Sequence, residues 1–271
     1  MPFLALHNDS RINSLEITDE QFESFRGAEL LCIGCKSPMH IRYSKAPNRM
    51  RHFVHTAKTS RCYVSNMSQE HLGIQALIEM SINKISGWRA ELEYQGDGWR
   101  GDVVAINGTT NERISFEVQL SSMTEAKALE RTQKHLDSGI NRVIWLCGKE
   151  FDWLTEVPSA HFVCERGWNP QNDLKVTYQA LPPIDNSYYW SFQENSLQLS
   201  QFIHSVLQKQ LLARYSGLCC VIETGTRRTL RFMTGMDRWH FQTLEEVRND
   251  TVNNAISLAE ESVRLQRYLP I

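Results

Sequence analysis

Hydrophobic positions change period several times along the chain, and each change marks a predicted element. Residues 114–120 alternate: Glu117 and Gln119 share one face of a predicted strand, and Phe116, Val118 and Leu120 share the other. The same period of two runs through residues 89–95 and 99–106, with a turn at Gly96-Asp97-Gly98 between them. Asn107-Gly108 then opens the connection to residues 112–120. Ahead of these strands the period is helical. His71, Ile74, Ile78, Ile82 and Ile85 form one stripe of a helix that starts near Asn66 or Ser68 and stops at Gly87. Behind the strands, Ser122 and Glu125 have the spacing of a capping box for a second helix ending at Gly139. Arg131 and His135 lie four apart on one face of that helix, away from Leu129, Thr132 and Leu136. Residues 142–147 close the series as an apolar strand, so the order over 66–147 is helix, three strands, helix, strand.

The flanks carry weaker patterns. Thr18-Asp19-Glu20-Gln21 opens a short helix within residues 1–30. Beyond residue 150 come Trp153, Trp168 and Trp190 in a stretch punctuated by Pro and Asn, then an amphipathic helix over 196–215 and a hairpin around Thr224-Gly225. A final helix of about 25 residues starts near Thr243, which has capping-box spacing to Glu246. Three regions follow: 1–65, basic and rich in metal-ligand residues; 66–150, the αβββαβ core; and 151–271, an accessory region, mixed but mainly helical. The expected fold class is α/β of the α+β kind.

Composition narrows the function classes. With 41% hydrophobic and 22% charged residues the chain is of globular type, and no apolar run approaches the ~20 residues that cross a bilayer. The first residues have no basic flank before their apolar part, so a cytoplasmic location is expected. Seven cysteines, an odd number, suit a reducing compartment better than a disulfide scaffold. A net charge of -2 excludes coating nucleic acid by bulk charge. Yet the segment 36–61 holds seven lysines and arginines and no acid, and phosphate neutralisation is a local matter. Arg49 and Arg51 in this segment are therefore expected nucleic-acid contacts.

Two clusters suggest metals. Cys32-Ile33-Gly34-Cys35 is a knuckle whose thiolates can reach one ion, and His52, His55 and Cys62 follow it. The most economical zinc set is Cys32, Cys35, His55 and Cys62, with His52 able to stand in for His55. The second cluster is Asp102 and Glu117, with fourteen residues between them. Strands are about 4.8 Å apart, so two carboxylates on one side of adjacent strands can share a Mg²⁺ or Mn²⁺ ion. Without a cation such opposed like charges are destabilising. Glu70 and His71 open the preceding helix and are further ligand candidates.

This order of motifs resembles the PD-(D/E)XK nuclease core. The form Asp102, then Glu117-Val118-Gln119, with Arg100-Gly101 before it and Ser121, Ser122 and the Arg131 helix after it, is more narrowly similar to the competence protein CoiA-like family. That family also has an N-terminal C-x2-C, a His-Phe-x-His segment and a Glu-His pair on the first helix, here Cys32 and Cys35, residues 52–55, and Glu70-His71. The resemblance covers residues 31–147. It implies metal-dependent phosphodiester hydrolysis, most naturally of DNA, with RNA as an alternative, in recombination, DNA uptake or defence against foreign DNA. Asp102, Glu117 and Glu70 or His71 would hold Mg²⁺ or Mn²⁺, Gln119 would orient the attacking water, and Arg131 and Arg100 would bind phosphate. Structural Zn²⁺, and either self-association or a recombination or defence partner protein, complete the expectation. The chain departs from the pattern at Gln119, where the superfamily has a lysine, at Gln75, where the family has a lysine, and at His135, where an aromatic residue is expected. A catalytically impaired DNA-binding accessory protein is the competing reading.

Overall fold

The structure is a computed structural model. It describes residues 3–43, 51–57, 62, 67–148, 157–164, 168–170, 172–180, 193–216, 219–223, 230–234 and 238–243. The chain divides into two units, Met1–Thr177 with Ser196–His204, and Tyr178–Asn195 with Ser205–Ile271.

The first unit starts with β1 (Leu4–His7), β2 (Ser10–Asn13), α1 (Asp19–Ser24), β3 (Leu30–Leu31), β4 (Pro38–Tyr43) and β5 (Arg51–His55). Its strands form an antiparallel sheet in the order β2-β1-β3-β4-β5. Thr18 and Gln21 cap α1 reciprocally, side chain to backbone at 3.2 and 2.8 Å, which places the helix where the sequence predicts it. The N-terminal region is thus a sheet with its own apolar core, more than the metal-binding and basic segment expected.

Next come α2 (Gln69–Asn83), β6 (Trp88–Gln95), β7 (Arg100–Asn107), β8 (Arg113–Gln119), α3 (Glu125–Asp137) and β9 (Arg142–Cys147), in the order the periodicity predicts. β6, β7 and β8 are antiparallel neighbours and β9 runs parallel to β8, as a crossover through α3 requires. α2 departs from a one-stripe amphipathic helix. It buries Leu72, Ile74, Ala76, Leu77, Ile78 and Ile82, residues spread around its circumference. Leu72 and Ala76 join the core of the N-terminal sheet with Phe3, Phe22, Leu30 and Phe53, while α2 also packs on β6, β7 and β8. A helix apolar all round belongs between two layers. Ile74, Ile78 and Ile82 are wholly shielded, each worth about 1.5–3 kcal/mol of burial.

α3 covers a second core of Val104, Ile106, Val143, Trp145 and Cys147, into which it inserts Ala128. It begins at Glu125 with Thr124, not Ser122, as the N-cap, and Thr124 makes no side-chain capping hydrogen bond. Leu129 and Leu136 stay outside at 40% exposure, and Thr132 accepts from Trp145 Nε1 at 2.9 Å. Thr132 therefore shares the inner side with Ala128 and His135, which corrects its grouping with the two leucines.

The chain continues through β10 (Ser159–Phe162), β11 (Lys175–Ala180), β12 (Gln193–Gln198), α4 (Leu199–Leu207), β13 (Leu211–Ser216), β14 (Cys219–Glu223), β15 (Leu230–Thr234) and β16 (Arg238–Thr243). In the first unit β10 extends the sheet parallel to β9, and β11 pairs antiparallel to β10. In the second unit β13 pairs antiparallel with β16, and β14 with β15. The expected mainly helical accessory region is corrected to a strand-rich one among the described residues: the helix predicted over 196–215 stops at Leu207. The hairpin near 218–232 forms as β14–β15, with its loop, like the helix expected after Thr243, outside the described residues. Altogether the described residues form a mixed α+β structure with four helices. None of these helices is long and apolar enough to cross a membrane.

Candidate metal and acid sites

The first site lies at one end of the N-terminal sheet. Sulfur atoms of Cys32, Cys35 and Cys62 and a ring nitrogen of His55 lie within 4.8 Å of one another, a group that could hold a zinc ion. The separation of Cys32 and Cys62 Sγ is 3.6 Å and that of Cys35 Sγ and His55 Nε2 is 3.4 Å. Tetrahedral ligands at about 2.3 Å from zinc stand about 3.7 Å apart, so the spacing fits. The Gly34 amide approaches Cys32 Sγ at 3.4 Å, the hydrogen bond a knuckle supplies to a thiolate. Burial lifts the Cys32 thiol to about 12. At Cys35 burial is outweighed by hydrogen bonds from Ser37, Cys62 and His55, which bring the thiol down to about 6. His52 is buried opposite Arg42 and is outside the four-ligand group, which decides between the two histidines in favour of His55.

The second site lies where β6, β7 and β8 meet both helices. Asp102 and Glu117 occupy neighbouring strands, where the Asp102 amide donates to Glu117 Oε1 at 3.3 Å and the Val118 amide donates to Asp102 Oδ2 at 2.8 Å. α2 serves Asp102. His71 Nε2 is 3.2 Å from Asp102 Oδ1, and Gln75 Nε2 donates to the same oxygen at 3.2 Å and to Glu93 Oε1 at 2.6 Å. α3 serves Glu117. Arg131 Nη2 pairs with Glu117 Oε2 at 2.6 Å while its guanidinium lies over the Trp145 ring, and the Ser115 hydroxyl donates to Oε1 at 2.8 Å.

Charge is unevenly shared. Burial and the Asp102 carboxylate push Glu117 up to about 8, against the pull of Arg131. Asp102 is also buried, but His71 and the Val118 amide hold its carboxyl below the ordinary range. Burial opposes the proton on His71, yet Asp102 outweighs it and raises the imidazole. Burial and, less strongly, Arg131 lower His135 to about 4, so this ring is neutral. His135 stacks on Trp99 with ring centroids 3.9 Å apart, and its Nδ1 lies 3.6 Å from Glu117 Oε1, too long for a hydrogen bond.

Several expected site residues stand elsewhere. Glu70 is exposed and outside the ligand group. The Gln119 amide donates to Ser121, to its carbonyl at 2.7 Å and its hydroxyl at 3.1 Å. Arg131 is paired with Glu117, Arg100 with Glu93 at 2.8 Å, and Arg51 with Asp19 at 3.1 Å, so these cations face protein acids. Arg49 lies outside the described residues. Sequence reasoning missed Glu93. His71, Glu93 and Asp102 each bring one ligand atom within 4.8 Å of the others, a group that Glu117 does not join. Gly101 sits close beside them: a Cβ there would meet Ser115 Oγ at 3.1 Å and Glu117 Oε1 at 3.3 Å, a tight fit.

No protein-family model and no curated protein matches the chain. Among solved structures, SfsA of Pyrococcus furiosus in complex with Ca²⁺ aligns at 10% identity over 50% of this chain and 78% of SfsA, with a TM-score of 0.26.

Proposed function

We propose that residues 66–147 are a PD-(D/E)XK-type core of the CoiA-like kind and that the protein is a metal-dependent nuclease hydrolysing phosphodiester bonds in DNA. The observation that carries this reading is the meeting of Asp102 and Glu117 across β7 and β8, with His71 beside them on α2. A binding surface has no use for two carboxylates buried together in this way. A bound Mg²⁺ or Mn²⁺ ion would polarise the scissile phosphate and acidify a water. The chain's own residues would do the rest. Asp102 and Glu117 would hold the cation's charge, and Arg131, once released from Glu117, would bind a phosphate oxygen through its planar fork. Gln119 would orient the water after leaving Ser121. The zinc group of the N-terminal sheet is structural in this reading. DNA uptake, recombination and defence against foreign DNA are the settings where such an activity belongs.

A binding-only accessory is the second reading, and the Arg131–Glu117 pair favours it, since Arg131 already supplies the positive charge a metal would bring. Incubation with supercoiled plasmid and Mg²⁺ or Mn²⁺ separates the two. The wild-type chain is expected to nick or linearise the DNA, and D102A and E117A are expected to lose at least about 10²-fold in rate. DNA and RNA both bound but uncut by the wild type would leave only the accessory reading.

A further inference from the structure

We infer that Glu93 is a cation ligand, completing with His71 Nε2 and Asp102 an N,O,O group for a divalent cation of the Mn²⁺ type, set between α2 and the β6–β7 pair. This rests on the nuclease reading and refines it, keeping Asp102 as a ligand, putting Glu93 and His71 beside it in the place given to Glu117, and naming the kind of ion.

The backbone at Glu93 is the first support. Its φ is +51° in the middle of β6, a left-handed conformation that a non-glycine residue adopts only when its surroundings impose it. On either side the strand keeps its antiparallel register with β7, Leu92 opposite Val103 and Tyr94 opposite Gly101. The twist breaks the strand's alternation so that Leu92 and Glu93 are both buried, and an acid on an edge strand turns inward to 6% exposure. Buried polar contacts are the second support. Gln75 donates to Glu93 and Asp102 through one nitrogen and so clamps the two carboxylates side by side without neutralising either. A lysine at this position would carry its own positive charge into the gap. Geometry is the third. Ligands at ~2.1 Å from an octahedral ion stand about 3 Å apart when adjacent and about 4.2 Å apart when opposite, and the three donor atoms here already lie within 4.8 Å. Glu117 lies outside this group of donor atoms, its oxygens accepting from Arg131, Ser115 and the Asp102 amide. One imidazole with two carboxylates suits Mn²⁺ better than Mg²⁺ or Ca²⁺, which prefer oxygen alone. Arg100, on the outer side of Glu93, competes with the ion for that carboxylate.

The test is Mn²⁺ binding to the full chain, followed by loss of the free-ion electron paramagnetic resonance signal in the absence of nucleic acid, with Mg²⁺ and Ca²⁺ as competitors. Wild type is expected to bind Mn²⁺ in preference to both. E93Q is expected to weaken binding at least about tenfold, E70Q to leave it unchanged, and R100Q to tighten it several-fold. H71A should lose the preference for Mn²⁺ over Ca²⁺. Wild-type affinity in a folded E93Q protein overturns the inference, as does the absence of Mn²⁺ binding by wild type. Should E93Q fail to give a cooperative melt, R100Q decides: unchanged or weaker binding overturns the inference. Mn²⁺ binding that depends on Glu93, in a protein that cuts nothing, would sink the nuclease reading and leave this one standing. Cutting at the wild-type rate by E93Q would do the reverse.

Discussion

Glu117 is the residue whose charge state organises the acid site. Its folded carboxyl titrates near 8 against 4.5 for a free glutamate. Between those pH values the folded protein holds a proton that the unfolded chain has released, so stability falls as pH rises, by at most about 1.4 kcal/mol per pH unit for one proton. Asp102, lowered from 3.8, works in the opposite sense and only as the solution becomes more acid than that. His71, raised from 6.5, loses its contribution as pH climbs beyond 6.5. In the interval from pH 5 to 6.5 the carboxyls whose folded values are raised, Glu117, Glu79 and Glu93, make stability fall as pH rises, opposed by His135, lowered to about 4, and by Cys35, lowered to about 6. Glu117→Gln removes one of the three. Denaturant unfolding across that interval, without added divalent cation, should give a flatter pH dependence for E117Q than for wild type. Parallel curves for the two proteins would mean that Glu117 is ionised in the fold throughout, held so by Arg131.

At the scale of elements, α2 decides how the site is built, and it shows where the sequence could and could not be read. Its existence, its Ser68 cap and the order of the five elements after it follow from periodicity and punctuation, because helix and strand periods and glycine at positive φ are local properties. The two-sided burial of α2 is not local: only the N-terminal sheet, folded against its other side, explains why Leu72 and Ala76 are apolar. The Cys32, Cys35, His55 and Cys62 group was legible as a spacing, whereas Glu93 was not, since nothing in Glu-Leu-Glu-Tyr announces a residue that will leave the strand's alternation. Arg131 and Arg100 were legible as charges, but the acids they meet, Glu117 and Glu93, were not. Gly73 tests the packing of α2 from the side of residues 168–170. Glycine to alanine in a helix ordinarily stabilises by about 1 kcal/mol. Here the new methyl would come within 2.5 Å of Pro170 Cγ and 3.2 Å of the Trp168 ring, and overpacking costs about 1–3 kcal/mol. The clash should win, so Gly73→Ala is expected to destabilise. Combining it with Pro170→Ala should recover most of the loss, a coupling that thermal melts of the four proteins in the cycle would measure.

Across the first unit, the two sites are linked through α2. Cys32 and Cys62, two members of the candidate zinc group, are also members of the apolar core that includes Leu72 and Ala76. On the same helix, His71 and Gln75 reach the acids, and Glu79 pairs with Arg11 of β2. A cluster that ties residues 32, 35, 55 and 62 together closes loops the unfolded chain would leave open, and zinc binding free energy becomes folding free energy where the ligands are scattered in the unfolded state. Zinc loss should therefore loosen the N-terminal sheet and, with it, the side of α2 that packs on that sheet. The purified protein is expected to contain about one zinc per chain, lost in Cys32→Ser. If removal costs even about 5 kcal/mol, the melting temperature should fall by roughly 10–20 °C. Hydrogen exchange provides the sharper reading, because it reports each element separately. Amides of β4, β5 and α2 should lose protection together in C32S, while those of β9, which packs against α3, should lose much less. Unchanged α2 protection in zinc-free protein would show that the N-terminal sheet and the acid site stand independently, and the structural role assigned to the zinc group would then end at β5.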